Sequence, residues 1–123
     1  MDTERKVNII RGDIFNHRKG ILVIPRSTAG TINESFERGL NRLKVKYIPK
    51  ETELGDIELD RSLPDVELIY ATSVQNGSST YAAVQQIARK LQEFLQNREL
   101  ENVYCPLLGT GAGQLDTFLA YVY

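Results

Sequence analysis

Residues 103–117 constrain the fold most, because they join the pattern of an apolar strand to a loop punctuated by glycine. Val103 to Leu108 has the composition of a buried strand, and the apolar run that starts at Leu115 is typical of a helix start. Between them, glycine at alternate positions lets the backbone turn sharply or approach a ligand closely. Free N–H groups at a helix N-terminus bind anions. The loop is therefore either a phosphate-binding loop or an ordinary strand–helix turn.

The glycine spacing does not decide between these two interpretations. The loop lacks the Gly-x-Gly-x-x-Gly pattern of dinucleotide-binding folds, and no Lys-Ser or Lys-Thr follows it as in a P-loop. The rest of the chain has to supply the context.

Composition limits the classes of protein that this chain can belong to. A length of 123 residues predicts one domain, and 41% hydrophobic with 25% charged residues is ordinary for a folded protein. A net charge of -1 argues against nucleic acid or a membrane as a partner. No signal peptide and no apolar run of membrane-spanning length is present, so the cytoplasm is the simplest location.

Single copies of cysteine and histidine exclude several kinds of site. One Cys and one His cannot form a disulfide framework or a His-rich or thiolate metal site, so no metal and no cofactor are expected. Cys105 lies in the apolar run and is expected to be buried, whereas His17 lies in a polar turn and is expected at the surface.

Hydrophobic periodicity along the chain predicts alternating strands and helices. Apolar runs and apolar–polar alternation predict strands over 6–10, 21–24, 55–59 and 66–74, before the strand that starts at Val103. Helical spacing predicts helices over roughly 32–44, capped by Thr31, and 79–97, capped by Ser78 or Ser79. This alternation is typical of an α/β layered sheet.

Ligands bind to α/β sheets outside the carboxyl ends of the strands. The loops 12–15, 26–31 and 109–114 all leave such ends. If these loops meet, they form a cleft with one carboxylate, several hydroxyls and many free N–H groups.

In their order and type, these segments resemble those of the macro domains, α/β modules that bind ADP-ribose and related NAD metabolites. The resemblance rests on Val-Asn-Ile-Ile-Arg-Gly-Asp-Ile at 7–14, on the strand pair within 55–71, on the helix near 79–97, and on Cys-Pro-Leu-Leu-Gly-Thr-Gly-Ala-Gly at 105–113. It implies a three-layer α/β/α sandwich with a mixed, mostly parallel sheet, formed by residues 1–123 as a single domain. The family continues for one more strand and helix, so we expect a fragment of a longer protein with other domains as partners.

The resemblance also implies a ligand site. Asp13 would accept a hydrogen bond from the adenine amino group, although it would otherwise simply cap the turn after Gly12. The last loop would bind the pyrophosphate and distal ribose through backbone N–H groups, and the shortened first loop would line the cleft. The expected ligand-binding residues are Asp13, Ile14, Ser27, Thr28, Ala29, Gly30, Gly109, Thr110, Gly111, Ala112, Gly113 and Gln114.

The first loop departs from the family pattern, and this departure bears on catalysis. Many members carry Asn-Ala-Asn and a glycine run with an acid where this chain has Pro25 to Thr31. No catalytic residue is expected, so the implied function is a non-catalytic module that binds ADP-ribose or a related NAD-derived nucleotide. The alternatives are a hydrolase of ADP-ribose esters or glycosidic bonds that uses Asp13, Asp116 or a bound water, and an interaction domain that has lost its ligand. Arg26 is expected either to pair with a phosphate or to be solvated at the surface.

Overall fold

One mixed sheet forms the centre of the molecule. The computed structural model describes residues 14–16, 19–96 and 102–106. Its strands are β1 (Gly20–Ser27), β2 (Ile57–Asp60), β3 (Val66–Val74) and β4 (Val103–Tyr104), and its helices are α1 (Glu34–Arg42) and α2 (Tyr81–Leu95). The sheet order is β2-β3-β1-β4. Strand β1 pairs in parallel with β3 and β4, and β2 pairs antiparallel with β3.

This sheet confirms the predicted mixed, mostly parallel α/β fold. The bounds of β3 are those predicted, and β2 begins two residues later than predicted. The predicted first strand at 6–10, together with Asp13 and the loop 109–114, lies outside the described residues.

Helices cover both faces of the sheet. Successive side chains of a strand point to opposite faces, so the apolar strands form one core cluster on each face. On the α1 face, the core cluster contains Leu22, Ile24, Leu68 and Leu40, which is a residue of α1. On the α2 face, a smaller cluster contains Val23, Ala71, Val84 and Ile87. The result is the predicted α/β/α layering.

Strand β1 is covered on both faces and runs through Pro25, where it was predicted to end. Residues 21–24 are 0% exposed, as predicted for a central strand. The N–H of Ile21 donates to Asn102 O at 2.9 Å, on the side of β1 that faces β4. Backbone groups of alternate residues point to the same side, so the nitrogen of Pro25 also faces that side. Its missing N–H leaves the ladder between β1 and β3 intact, and Pro25 pairs with Ala71.

The helix starts differ from prediction by a few residues. Asn33 caps α1 by accepting a hydrogen bond from the Ser35 N–H at 2.8 Å, so the prediction of Thr31 as N-cap is wrong. Thr80 caps α2 by accepting from the Ala83 N–H at 3.1 Å, which replaces the predicted Ser78 or Ser79. Ser79 instead donates its hydroxyl to Ser73 O.

The connection from α1 to β2 has no helix or strand, and part of it crosses the carboxyl end of β1. We call residues 47–52 the strap. Neither described helix is long and apolar enough to cross a membrane.

A candidate ligand-binding edge of the sheet

The parallel strands end at one edge of the sheet, which is where the predicted ligand loops leave the strands. Strand β1 ends at Ser27, β3 at Val74 and β4 at Tyr104. We call residues 27–31 the first loop. The structure therefore places the predicted residues Ser27, Thr28, Ala29 and Gly30 at the carboxyl edge. Ile14 lies in a short 3-10 turn and packs against the core cluster on the α1 face.

Hydrogen bonds close the first loop on itself. Ser27 N–H donates to Thr31 O at 2.9 Å, and Gly30 N–H donates to Ser27 O at 2.9 Å. Thr31 N–H donates to Ser27 Oγ at 3.0 Å, and Thr28 N–H donates to Val74 O at 2.8 Å. The prediction of many free N–H groups is wrong for this loop, because four of its five amides already have acceptors within the protein.

The strap fixes the outer side of the first loop. Thr52 N–H donates to Thr28 O at 2.8 Å, and the Tyr47 hydroxyl donates to Gly30 O. Gly30 has a φ of +89°, and a Cβ there would lie 2.3 Å from Lys50 O. The first loop therefore requires glycine at position 30 for its backbone conformation and for the close approach of the strap.

Arg26 is buried and has partners within the protein. Its side chain is only 2% exposed, so it is not a solvated surface arginine. Its Nε donates to Thr72 Oγ1 at 3.2 Å and its Nη1 donates to Glu58 Oε1 at 3.0 Å, while the guanidinium lies 5.4 Å from the Tyr70 ring centroid. A guanidinium held by a carboxylate, a hydroxyl and a ring is already satisfied, so it is a poor partner for a phosphate.

Glu58 connects β1, β2 and the strap. One of its oxygens accepts from Arg26, and the other accepts from Lys50 Nζ. The hydrogen bond from Lys50 lowers the pKa of Glu58 most, with a further contribution from Arg26, while partial burial opposes the shift. Thr52 Oγ1 and Thr72 Oγ1 are 2.8 Å apart, which adds a hydrogen bond between the strap and β3.

Sequence reasoning missed this group of polar residues. Neither Glu58 nor Thr52 is among the residues that the sequence predicted for the site. The available signal was Thr72, a hydroxyl in the apolar β3, together with Arg26 directly after an apolar run. Buried polar groups in such positions need partners, but the sequence does not say which residues supply them.

The α2 face of the same edge carries a different polar feature. Arg26 pairs with Thr72 and Ser27 pairs with Val74, so Ser73 is the extra residue of a β-bulge. Ser73 is 0% exposed, and its Oγ has no hydrogen-bond partner among the residues that the structure describes.

The described part of this edge offers no metal-binding cluster, and its one cysteine differs from prediction. Residues 14–16, 19–96 and 102–106 contain no cluster of His, Cys, Asp or Glu that could hold a metal ion. Cys105 is exposed, so its predicted burial is wrong. The reason is that β4 ends at Tyr104, and Cys105 follows the strand without being part of it.

Comparison with solved structures decides the fold. The macrodomain of Mycobacterium tuberculosis DarG superposes with a TM-score of 0.66, at 17% sequence identity, over 91% of this chain and 82% of that one. The chain has the macrodomain fold. A structure of Thermosipho africanus DarTG in complex with ADP-ribose superposes with a TM-score of 0.70, at 16% identity, over 89% of this chain and 35% of that one. No family model matches the sequence, and neither does any curated protein.

The macrodomain fold confirms the resemblance that the short sequence motifs suggested. The agreement covers about nine-tenths of the chain at 16–17% identity. Within this fold, Pro25 to Thr31 forms the end of β1 and a closed first loop held by the strap.

Proposed function

We propose that this macrodomain binds ADP-ribose or a related NAD-derived nucleotide at the carboxyl edge of its sheet, without turning it over. The observation that carries the proposal is the superposition on a DarTG structure that is in complex with ADP-ribose. The edge itself supports it, because three parallel strands end there and a pre-shaped loop follows one of them.

The strand register supports a meeting of the first and last loops. Leu22 pairs with Tyr104, and Ser27 follows Leu22 by the same number of residues as Gly109 follows Tyr104. If β4 keeps its direction, Gly109 comes level with Ser27.

The hydrogen bonds of the first loop indicate that this loop and the last loop, residues 109–114, would contact different parts of the ligand. Four first-loop amides are engaged within the protein, so this loop contributes mainly a shaped wall, the Ala29 N–H and the hydroxyls of Ser27 and Thr28. We therefore assign the diphosphate to the backbone N–H groups of residues 109–113, with Gln114 at the end of that loop. Asp13 and Ile14 would contact the adenine.

The environment of Glu58 supports binding without turnover. Glu58 is the carboxylate nearest to the first loop in the hydrogen-bond network, and both of its oxygens are engaged by cations. A carboxylate with a lowered pKa that is held by two cations is a poor general base. Hydrolysis by Asp13, Asp116 or a bound water is the alternative function. Partner domains in a longer chain and a cytoplasmic location stay predictions from the sequence.

Titration calorimetry with ADP-ribose tests the proposal. We expect saturable binding that Asp13→Ala weakens and that Gly111→Val abolishes, with thermal unfolding unchanged. Asp65→Ala is the matched control, because Asp65 is exposed and directly precedes β3, at the opposite edge of the sheet. Equal affinity in all four proteins would contradict the assigned site.

Two further outcomes separate the alternatives. Absence of any heat at millimolar ADP-ribose would favour an interaction domain that has lost its ligand. Release of free ADP-ribose from a modified peptide, abolished by Asp13→Ala or Asp116→Ala, would establish a hydrolase and overturn the non-catalytic assignment.

A further inference from the structure

We propose that Glu58 and Thr52 are positioning residues for the first loop, and that the strap works as a latch that holds this loop in its ligand-binding shape. The inference rests on the proposed function for its consequence on affinity. Its structural part, that the latch holds the loop, stands on the geometry alone.

Backbone contacts make the first loop depend on the strap. Thr28 O accepts from Thr52 N–H at 2.8 Å, and Gly30 O accepts from the Tyr47 hydroxyl. The Cα of Gly30 lies directly against the backbone of Lys50, because an added Cβ would meet Lys50 N at 2.4 Å. A movement of the strap away from the sheet therefore breaks the contacts that define the outer side of the loop.

Two side-chain attachments in turn hold the strap to the sheet. Lys50 Nζ donates to Glu58 in β2, and Thr52 Oγ1 lies 2.8 Å from Thr72 Oγ1 in β3. Glu58 and Thr72 are also the two residues that hold Arg26, the last buried residue of β1. One network thus fixes both the start of the loop, through Arg26, and its outer side, through the strap.

Burial explains why these attachments are expected to matter. The Arg26 side chain is 2% exposed and the Glu58 side chain 36% exposed, so their pair is screened far less than an ordinary surface pair. The Lys50 side chain is 56% exposed, and its bond alone would contribute little. The latch therefore depends on Glu58 joining the two cations, and on the partly buried bond between Thr52 and Thr72.

The test uses two variants that each open one attachment. Glu58→Gln keeps the shape of the side chain and removes the charge that holds both Arg26 and Lys50. Thr52→Val removes the hydroxyl and keeps the shape and the backbone N–H, while Thr52→Ser keeps the hydroxyl and should restore wild-type behaviour. Asp56→Asn is the matched control, because Asp56 pairs with Lys90 beside the same strand but away from the first loop.

Amide hydrogen exchange is the first measurement, and it needs no ligand. In Glu58→Gln and Thr52→Val, we expect faster exchange of the Thr52 and Gly30 amides, with Leu68 in β3 unchanged. In Thr52→Ser and Asp56→Asn, all three amides should keep wild-type rates. Unchanged Thr52 and Gly30 rates in both opening variants would overturn the latch.

ADP-ribose affinity is the second measurement. We expect the dissociation constant to rise roughly five- to tenfold in both opening variants, a range typical of coupling through a structural element, and to stay unchanged in the two controls. Faster loop exchange with unchanged affinity would overturn the positioning role.

The two measurements keep the latch and the proposed function apart. If the wild-type protein does not bind ADP-ribose, the proposed function fails, and the exchange rates alone decide whether the latch holds the loop. If Glu58→Gln does not fold, the pair Thr52→Val and Thr52→Ser gives the same decision.

Discussion

The two faces of the sheet differ in whether their buried polar side chains have hydrogen-bond partners. On the α1 face, Arg26 and Thr72 lie at the carboxyl ends of β1 and β3, and both are held by hydrogen bonds. On the α2 face, the neighbouring Ser73 is just as deeply buried, yet its hydroxyl has no partner. The difference is that the strap and β2 supply partners on the α1 face.

This comparison shows how a buried charge is retained beside an apolar core. Arg26 continues the row of Leu22 and Ile24 toward the carboxyl edge, so it extends the α1-face core with a group that must be paired. The strap has no regular structure, but it brings Lys50 and Thr52 to this group. The α2 face ends in a bulge that leaves one hydroxyl buried and unpaired.

The largest expected effect comes from comparing the two apolar clusters. Ile24 on the α1 face and Ile87 on the α2 face are both 0% exposed. Replacement of either by Ala should destabilise the protein by about 2–5 kcal/mol. Ile24→Ala should cost more, because the larger α1-face cluster surrounds the new cavity more completely. Chemical denaturation measures both values, and a larger cost at Ile87 would contradict this ranking of the faces.

The next effect is the loss of the buried cation. Arg26→Met should destabilise the protein by about 2 kcal/mol, less than for a fully buried pair because Glu58 is partly exposed and keeps Lys50. Arg38→Met is the control, because its pair with Glu34 is exposed on α1 and should contribute almost nothing. Equal stability of the two variants would mean that the pairing of Arg26 makes no net contribution to the free energy of unfolding.

Adjacent residues of β3 give the sharpest test of the comparison. Thr72→Val removes a hydroxyl that bonds to Arg26 and Thr52, and should cost about 1–3 kcal/mol. Ser73→Ala removes a hydroxyl without a partner, and should leave stability unchanged or slightly raised. Denaturant midpoints compare the two variants, and a clear loss in Ser73→Ala would reveal a hidden partner for that hydroxyl.

The smallest effect is a dependence on pH. The pKa of Glu58 is lowered in the folded protein, chiefly by Lys50 and also by Arg26, so its stabilising contribution is complete above its unfolded pKa. The contribution is lost as pH falls through the pKa of Glu58 in the folded protein, which lies below the ordinary glutamate value of 4.5. The difference in melting temperature between wild type and Glu58→Gln should therefore be constant near neutral pH. It should decrease as the pH falls below about 4.5. A difference that stays constant down to about pH 3 would contradict the role of the Glu58 charge.

The sequence predicted the regular parts of this fold because their signals are local. The apolar run of β3 and the helical stripe of Val84 and Ile87 each follow from neighbouring residues. The resemblance to macro domains predicted that Ser27 to Gly30 line a ligand cleft, and the structure places them at the carboxyl edge of the sheet. That they contact a ligand stays a prediction.

The strap network could not be predicted, because its contacts join residues that are far apart in sequence. Arg26 meets Glu58 across 32 positions, and Thr52 meets Thr72 across 20. The strap also carries no periodic pattern, so nothing in it indicated that it would cross the end of β1. The closed hydrogen bonds of the first loop were missed for another reason, because loop composition does not reveal which amides find internal acceptors.

The closed first loop has a consequence for the thermodynamics of recognition. A segment whose amides and outer side are already fixed loses little conformational entropy when a molecule settles against it. Its contribution to affinity is then mostly shape, so it should discriminate among sugars by fit more than by strength of attraction. Under the proposed function, a nucleotide with a bulkier distal group should collide with the exposed Ala29, because the hydrogen-bonded loop cannot move aside to accommodate it.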